Sequence, residues 1–312
     1  MTGVLRITEP AVQDSDYSRH LAVLEDQWVG LPDKPEETAV STLRALWLAA
    51  AGEPCSVELA SRRPLPVLDA DGRAALNRLV ERRRAGVPLA HLTGRQSFMG
   101  LELLAGPEAL IPRRETELLG EGALEVLRRT VAERGPAVVM DVCTGSGNLA
   151  LALAHHEPQC SVIAGDLSDD AVELGRRNAE HTGLADRVRF IRGDLFAPFE
   201  AAGLRAAADL IVCNPPYIST AKVAGMPTEI AEFEPRLAFD GGAFGISILF
   251  RLVAGAPQFL KPGSWLCFEV GVGQGEPMAK RLERAGGYAI VERVRDGAGE
   301  IRALLARTRG AN

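Results

Sequence analysis

The chain has 312 residues, 46% of them hydrophobic and 24% charged, with a formal net charge of -6. That is an ordinary soluble globular composition with room for one large domain and a smaller one, and its acidic balance argues against a dedicated nucleic-acid binder, which usually shows a basic face. No basic-then-apolar leader opens the sequence, and no apolar run approaches the roughly 18 residues that span a bilayer, so neither secretion nor membrane insertion is expected.

Residues 1–90 predict a small helical domain. Ser41 to Ala51 has helical spacing behind a Ser or Thr cap and is stopped by Gly52-Glu-Pro54. Asp69 to Arg84 gives a second helix, with Leu76, Leu79 and Val80 on one face and Gly86 beyond its end. Residues 91–113 hold two apolar strips, Ser97-Phe-Met and Leu101 to Leu104, around Gly100, which predicts a hairpin linker.

From residue 114 to 312 helices and strands alternate. Helices are expected at Glu115–Glu133, Asn148–His156, Ala171–His181, near Ser247–Phe259, and at Glu276–Gly286. Strands are expected at Ala137–Cys143, Ser161–Asp166, Val188–Arg192, Leu210–Cys213, Ser264–Val270, Tyr288–Arg293 and Ile301–Ala306. The alternation predicts an α/β domain with a parallel, doubly wound sheet, finished by an antiparallel hairpin at its edge. The five cysteines, Cys55, Cys143, Cys160, Cys213 and Cys267, are scattered and lack CxxC spacing, as expected of reduced core thiols in a cytoplasmic protein. Trp28, Trp47 and Trp265 read as packing residues.

Chemistry concentrates at the strand ends. The apolar run Asp209-Leu-Ile-Val-Cys213 enters Asn214-Pro215-Pro216-Tyr217, and two prolines must end a ladder there because proline has no N–H to give it. In such a rigid corner the Asn214 side-chain oxygen and the Pro215 carbonyl are two fixed acceptors for the N–H groups of a planar nitrogen, which the Tyr217 ring can flank. Asp141-Val-Cys143-Thr144-Gly145-Ser-Gly147 joins a strand to a helix, where glycines admit a ligand close to the backbone and the helix N-terminus offers unpaired N–H groups. This turn also satisfies the GxGxxA form of a dinucleotide fingerprint. Three aspartates at successive strand ends, Asp141, Asp166 and Asp194, match an amino group, a ribose diol and an adenine amino group in turn, and S-adenosylmethionine presents all three. The candidate cofactor residues are thus Asp141, Cys143, Thr144, Gly145 and Gly147, then Asp166, Leu167, Asp194, Leu195 and Asn214.

The ordered set of the glycine turn, Asp166, Gly193-Asp194-Leu-Phe, Asn214-Pro-Pro-Tyr217, Glu234-Pro-Arg-Leu-Ala238 and Asp240-Gly-Gly resembles the HemK family of glutamine N5-methyltransferases, which act on peptide-chain release factors. Pro88 to Arg95 and Leu110 to Glu117 are similar to that family's linker segment, although Arg114 stands where the usual Ile-Pro-Arg-Pro has its second proline. The resemblance implies a Rossmann-like class I methyltransferase sheet, mostly parallel with an antiparallel last strand, behind a helical substrate-recognition domain. It also implies transfer of a methyl group from S-adenosylmethionine to a release-factor glutamine. A free amino acid's amide or guanidino nitrogen is the alternative acceptor, and a non-catalytic nucleotide-binding module the alternative of another class.

An amide nitrogen is a weak nucleophile, so alignment rather than a strong base is what such a site must supply. The expected catalytic residues are Asn214, Pro215 and Tyr217. Substrate contacts are expected from these with Pro216, Arg113, Glu117 and Glu234. No histidine falls in these motifs; His155, His156 and His181 sit near helix ends, and no metal is expected. Ser219 to Phe233 is long for an α/β loop and reads as a lid.

Overall fold

A computed structural model describes residues 15–26, 30, 34–223, 225–226 and 228–310; Trp28, everything before Ser15, and Ala224 and Pro227 of the expected lid lie outside the described residues. The chain divides into two compact units, Met1–Ser97 and Phe98–Asn312.

In the first unit helices run over Ser15–Glu25, Ala39–Ala50, Val57–Ala60, Ala70–Arg84 and Leu89–Thr93. The second begins two residues earlier than its apolar pattern predicts, because Thr38 and Ser41 close a capping box: Ser41 N donates to Thr38 Oγ1 at 3.1 Å and Thr38 N to Ser41 Oγ at 2.8 Å. Asp69 caps the fourth by accepting from Gly72 N at 2.8 Å. Leu43, Leu46, Trp47, Leu76 and Val80 form the core of this unit. The buried Trp47 indole N–H is satisfied by the Pro66 carbonyl at 2.7 Å.

Strands β1 (Arg95–Phe98) and β2 (Leu101–Leu104) make a hairpin that turns at Met99 and Gly100. Both turn residues have positive φ, 47° and 79°, the backbone whose twist matches the flanking strands. The division between the units falls inside this hairpin.

The second unit carries β3 (Ala137–Val142), β4 (Cys160–Asp166), β5 (Val188–Arg192), β6 (Ala208–Cys213), β7 (Leu260–Glu269), β8 (Tyr288–Arg295) and β9 (Ile301–Thr308). They form one seven-stranded sheet of order β5-β4-β3-β6-β7-β9-β8. Strands β5 to β7 are parallel, and β9 is antiparallel to both its neighbours. The last strand therefore inserts between β7 and β8, which leaves β8 outermost. Most boundaries differ from the sequence reading by one or two residues, and two differ by four. Strand β7 starts at Leu260, because Pro262 and Gly263 mask its first turn of apolar residues and a register shift opposite Ala208 and Leu210 absorbs them. Helix Ser247–Gly255 ends before Phe259, because Pro257 takes the chain into a 3-10 turn over Ala256–Gln258.

Side chains alternate between the two faces of the sheet. Leu210 and Val212 join a cluster with Leu119, Leu127 and Leu151, while Ile211 and Cys213 join Phe199, Leu252 and Leu282. Every residue of β6 is buried, and each buried Leu or Ile contributes roughly 1.5–3 kcal/mol. From β3 the chain builds outward through β4 to β5, then crosses back to lay β6 on the other side of β3. The reversal opens a crevice above the carboxyl ends of β3 and β6. Val142 pairs with Cys213 in register, so the glycine turn and the Asn-Pro-Pro-Tyr corner leave the sheet side by side. Among the described residues no helix is long and apolar enough to cross a membrane, and all five cysteines are free.

Candidate active site

The turn after β3 is shaped by three residues at positive φ, Cys143 (60°), Gly145 (55°) and Gly147 (84°). Gly147 must be glycine twice over: besides its φ, an added Cβ would sit 2.8 Å from the Phe190 ring. Helix Asn148–His156 starts immediately after, so its first N–H groups face the turn. Asp141 lies fully buried beneath. Its Oδ2 accepts from the Thr144 hydroxyl (2.5 Å) and Ala150 N (3.1 Å), while Oδ1 has no partner among the described residues. Burial raises its pKa to about 7, against the opposing pull of those two donors. Asn178, completely buried, supports the turn from outside by donating to the Ser146 carbonyl at 3.0 Å.

Around this turn lies a cavity lined by the ends of four adjacent strands. Cys143, Thr144 and Gly145 come from β3, Asp166 and Leu167 from β4, Asp194 and Leu195 from β5, and Asn214 from β6. Asp141 and Gly147 are not among the lining residues; one holds the turn's inner face and the other its exit into the helix. Asp166 accepts from Gly145 N and Ser168 N, both at 2.9 Å, through different oxygens, which leaves a lone pair on each for a vicinal diol. Burial raises its pKa. Asp194 accepts from Arg251 at 2.6 Å and is half exposed, so any ligand amino group at this position would share the carboxylate with a guanidinium. Gly145 opens onto free space where a Cβ would stand. The lining offers two kinds of group to a nucleoside with an amino-acid tail: acceptors on Asp166 suited to a diol and helix N–H groups suited to a carboxylate.

At the β6 corner Asn214 and Pro216 line the cavity, whereas Pro215 and Tyr217 do not. The Asn214 Nδ2 donates to Thr116 Oγ1 at 3.1 Å, which turns its Oδ1 away from Thr116. The Tyr217 hydroxyl donates to Glu269 Oε1 at 2.8 Å, and burial beside that carboxylate pushes the phenol far above its ordinary value. The motif Asp240-Gly-Gly explains itself here. Ile218 N donates to Phe239 O and Gly241 N to Ile218 O, so residues 239–241 lie alongside the corner. A Cβ on Gly241 would come within 2.6 Å of Pro216 O, and one on Gly245 within 2.3 Å of Tyr217 O.

Arg113 lines the cavity and is paired with Glu234, which does not line it and is buried. Glu234 also accepts from Ile111 N at 2.8 Å, tying residues 111–113 to the end of the expected lid. Glu117 lies away from the cavity and accepts from Met99 N at 2.7 Å, supporting the hairpin turn. Thr116 and Glu269 are the residues that sequence reasoning missed. Glu269 carried one signal, a carboxylate inside the buried run Trp265-Leu-Cys-Phe-Glu-Val270, a placement that demands partners.

Residues 121–233 match the family described as methyltransferase small domain. The hMettl16 catalytic domain in complex with the MAT2A 3'UTR hairpin 6 superposes with a TM-score of 0.52 at 16% identity, covering 69% of this chain and 77% of that one. The sheet is that of a class I methyltransferase, and the protein is an enzyme of that class whose methyl donor is S-adenosylmethionine. The release factor glutamine methyltransferase of Moorella thermoacetica is 40% identical over 227 residues, spanning 73% of this chain and 77% of its own length. That of Geobacter sulfurreducens is 40% identical over 219 residues (70% and 73%), and that of Xylella fastidiosa 42% over 212 residues (68% and 74%). The chain belongs to the release factor glutamine methyltransferase, or HemK, family.

Proposed function

We propose that this enzyme methylates the side-chain amide nitrogen, N5, of a glutamine in a peptide-chain release factor, in the cytoplasm. The observation that carries the reading is the Asn214 carboxamide: it shares one cavity with Gly145 and Asp166 and has its Nδ2 committed to Thr116, so its Oδ1 is the atom offered to an incoming N–H. The names of the Moorella, Geobacter and Xylella relatives favour a protein glutamine over a free amino acid as acceptor.

S-adenosylmethionine supplies an electrophilic methyl carbon on a sulfonium. Asp166, Asp194 and the glycine turn would hold the nucleoside end, and the turn with Asp141 the amino-acid end. Asn214 Oδ1 and the Pro215 carbonyl accept the two amide N–H groups, which directs the nitrogen lone pair out of the amide plane and along the line of transfer. Orientation of this kind supplies up to roughly 7–11 kcal/mol of a barrier. The same acceptors favour the positive charge that grows on nitrogen. No general base is needed before attack, since the proton leaves afterwards. Arg113, anchored by Glu234, closes one wall. Residues 1–90 serve as the substrate-recognition domain, 91–113 as the linker, and Ser219 to Phe233 as the lid.

The test is methyl transfer from labelled S-adenosylmethionine to a purified release factor and, in parallel, to a pool of amines, amides and guanidines, with peptide mapping of the product. The reading expects one methyl group on a glutamine side-chain nitrogen of the release factor. Transfer confined to the small-molecule pool would overturn it.

A further inference from the structure

Proline fixes its own φ and restricts the ψ of the residue before it, but its own ψ stays open unless another proline follows. In Asn214-Pro215-Pro216-Tyr217 the ψ of Asn214 and of Pro215 are therefore restricted, while Pro216 ψ and both torsions of Tyr217 are not. The corner is stiff at the strand and soft at its far end. A side chain outside the cavity holds that end. Gln274, in the loop between β7 and helix Gly275–Arg284, donates from Nε2 to Tyr217 O at 2.9 Å and to Gly245 O at 3.2 Å, and accepts from Gly271 N on Oε1 at 3.0 Å. One donor and two acceptors around the carboxamide leave it a single orientation, with both of its N–H groups used.

Three loops meet on this one side chain. Gly245 closes the turn that begins Asp240-Gly-Gly, and Ala238 and Asp240 beside it line the cavity with Pro216. Gly241 N donates to Ile218 O at 2.8 Å and Ile218 N to Phe239 O at 3.0 Å, so this wall moves with the corner. Gly271 follows β7, and a Cβ there would stand 3.0 Å from the Tyr217 ring. With its hydroxyl on Glu269 and its carbonyl on Gln274, Tyr217 is pinned at both ends.

We propose that Gln274 is a positioning residue for the acceptor nitrogen: acting through Tyr217 and Gly245, it fixes the soft end of the Asn-Pro-Pro-Tyr corner against the wall formed by residues 238–240. The brace serves one side of the cavity. On the other side Thr144, Gly145 and Asp166 hang from β3 and β4 through hydrogen bonds of their own. Losing the brace therefore loosens the hold on the acceptor and spares the cofactor. A local role competes with this one, because Gln274 directly precedes helix Gly275–Arg284 and its bond to Gly271 N closes the loop at the helix start. Glutamate separates the two. A carboxylate at this position still accepts from Gly271 N and suits a helix N-terminus, but it has no donor for Tyr217 O or Gly245 O and turns an oxygen toward them instead.

This role rests on the proposed amide acceptor, so part of its test needs no acceptor. In the ¹⁵N-labelled parent both Gln274 side-chain N–H protons should exchange slowly with solvent, and rapid exchange overturns the proposal whatever the variants do. Gln274→Ala and Gln274→Glu should both speed exchange of the Ile218 and Gly241 amides about fivefold, and only Gln274→Ala should speed that of Gly271. With S-adenosylmethionine and a purified release factor, both variants should lower kcat/KM for the acceptor about tenfold to a hundredfold and leave S-adenosylhomocysteine binding by calorimetry within about twofold of the parent. Should Gln274→Ala fail to fold, Gln274→Glu carries both arms. A folded Gln274→Glu enzyme with parent-like kcat/KM, or with parent-like exchange at Ile218 and Gly241, overturns the proposal, because the helix start alone then explains the residue. A loss of S-adenosylhomocysteine binding as large as the loss of turnover overturns it too. If the parent itself fails to methylate a release factor, the functional reading fails and the exchange rates still decide the brace.

Discussion

In the proposed reaction Asn214 carries the chemistry, and it would do so without a base. Replacing it with Ala removes an acceptor aimed at developing charge, so kcat should fall by about 10²–10³ while S-adenosylhomocysteine affinity, measured by calorimetry, stays close to the parent. Equal losses in both would place Asn214 in cofactor binding instead. Asp141 makes a separate claim. Its pKa is raised from 3.8 to about 7 by burial, so the folded state binds a proton that the unfolded chain releases. The sign follows: its contribution is fully present below about pH 4 and is lost as pH rises through 7. Over that window the loss is on the order of 4 kcal/mol, and Asp141→Asn, which cannot titrate, should show a shallower fall of stability between pH 4 and 7 in denaturant melts. An unchanged slope would mean that Asp141 stays ionised in the fold. Asn214, Gly145 and Gly147 were legible in the sequence because prolines and glycines mark backbone constraints directly. Thr116 lies 98 positions from Asn214, and Glu269 lies 52 from Tyr217. Nothing local announces such pairings, which exist only once the helix and β7 pack on β6.

Elements are held in place here by close approach as much as by apolar area. Helix Asp169–His181 crosses Phe190 of β5 so tightly that a Cβ on Gly175 would lie 2.3 Å from the ring. Gly175→Ala, favourable by helix propensity, should therefore destabilise by about 1–3 kcal/mol through overpacking. Thermal melts check this, and a stabilised variant would show that Phe190 has room to move. The pair between Arg113 and Glu234 is the other junction, with side chains 11% and 0% exposed. Arg113→Met leaves a fully buried carboxylate without its counter-charge and should cost about 3–5 kcal/mol, more than Glu234→Gln, which leaves the charge on the more exposed partner, Arg113. The helix and strand pattern of residues 114–306 was readable from alternating periodicity. The capping box at Thr38, the start of β7 and the helix Ala197–Ala201 were not, because side-chain caps, Pro262 and Pro198 interrupt the periodic signal at those points.

At the scale of the whole molecule the fold's contribution is adjacency. The order β5-β4-β3-β6 sets four carboxyl ends around one cavity, so in the proposed reaction a nucleoside on Asp166 and Asp194 and an amide on Asn214 would be brought together by the sheet and not by a loop. Ligand binding to the folded state alone should raise stability by about 2.7 kcal/mol at a hundredfold excess over Kd, seen as an upward shift in Tm with S-adenosylhomocysteine. Asp166→Ala should lose most of that shift, and Asn214→Ala should keep it. The most direct measurement is a crystal structure with S-adenosylhomocysteine and a release-factor peptide bearing the glutamine. The account predicts the glutamine amide nitrogen within hydrogen-bonding distance of Asn214 Oδ1 and the Pro215 carbonyl, facing the sulfur. A glutamine seated elsewhere, or the Asn214 NH2 turned toward it, would contradict it.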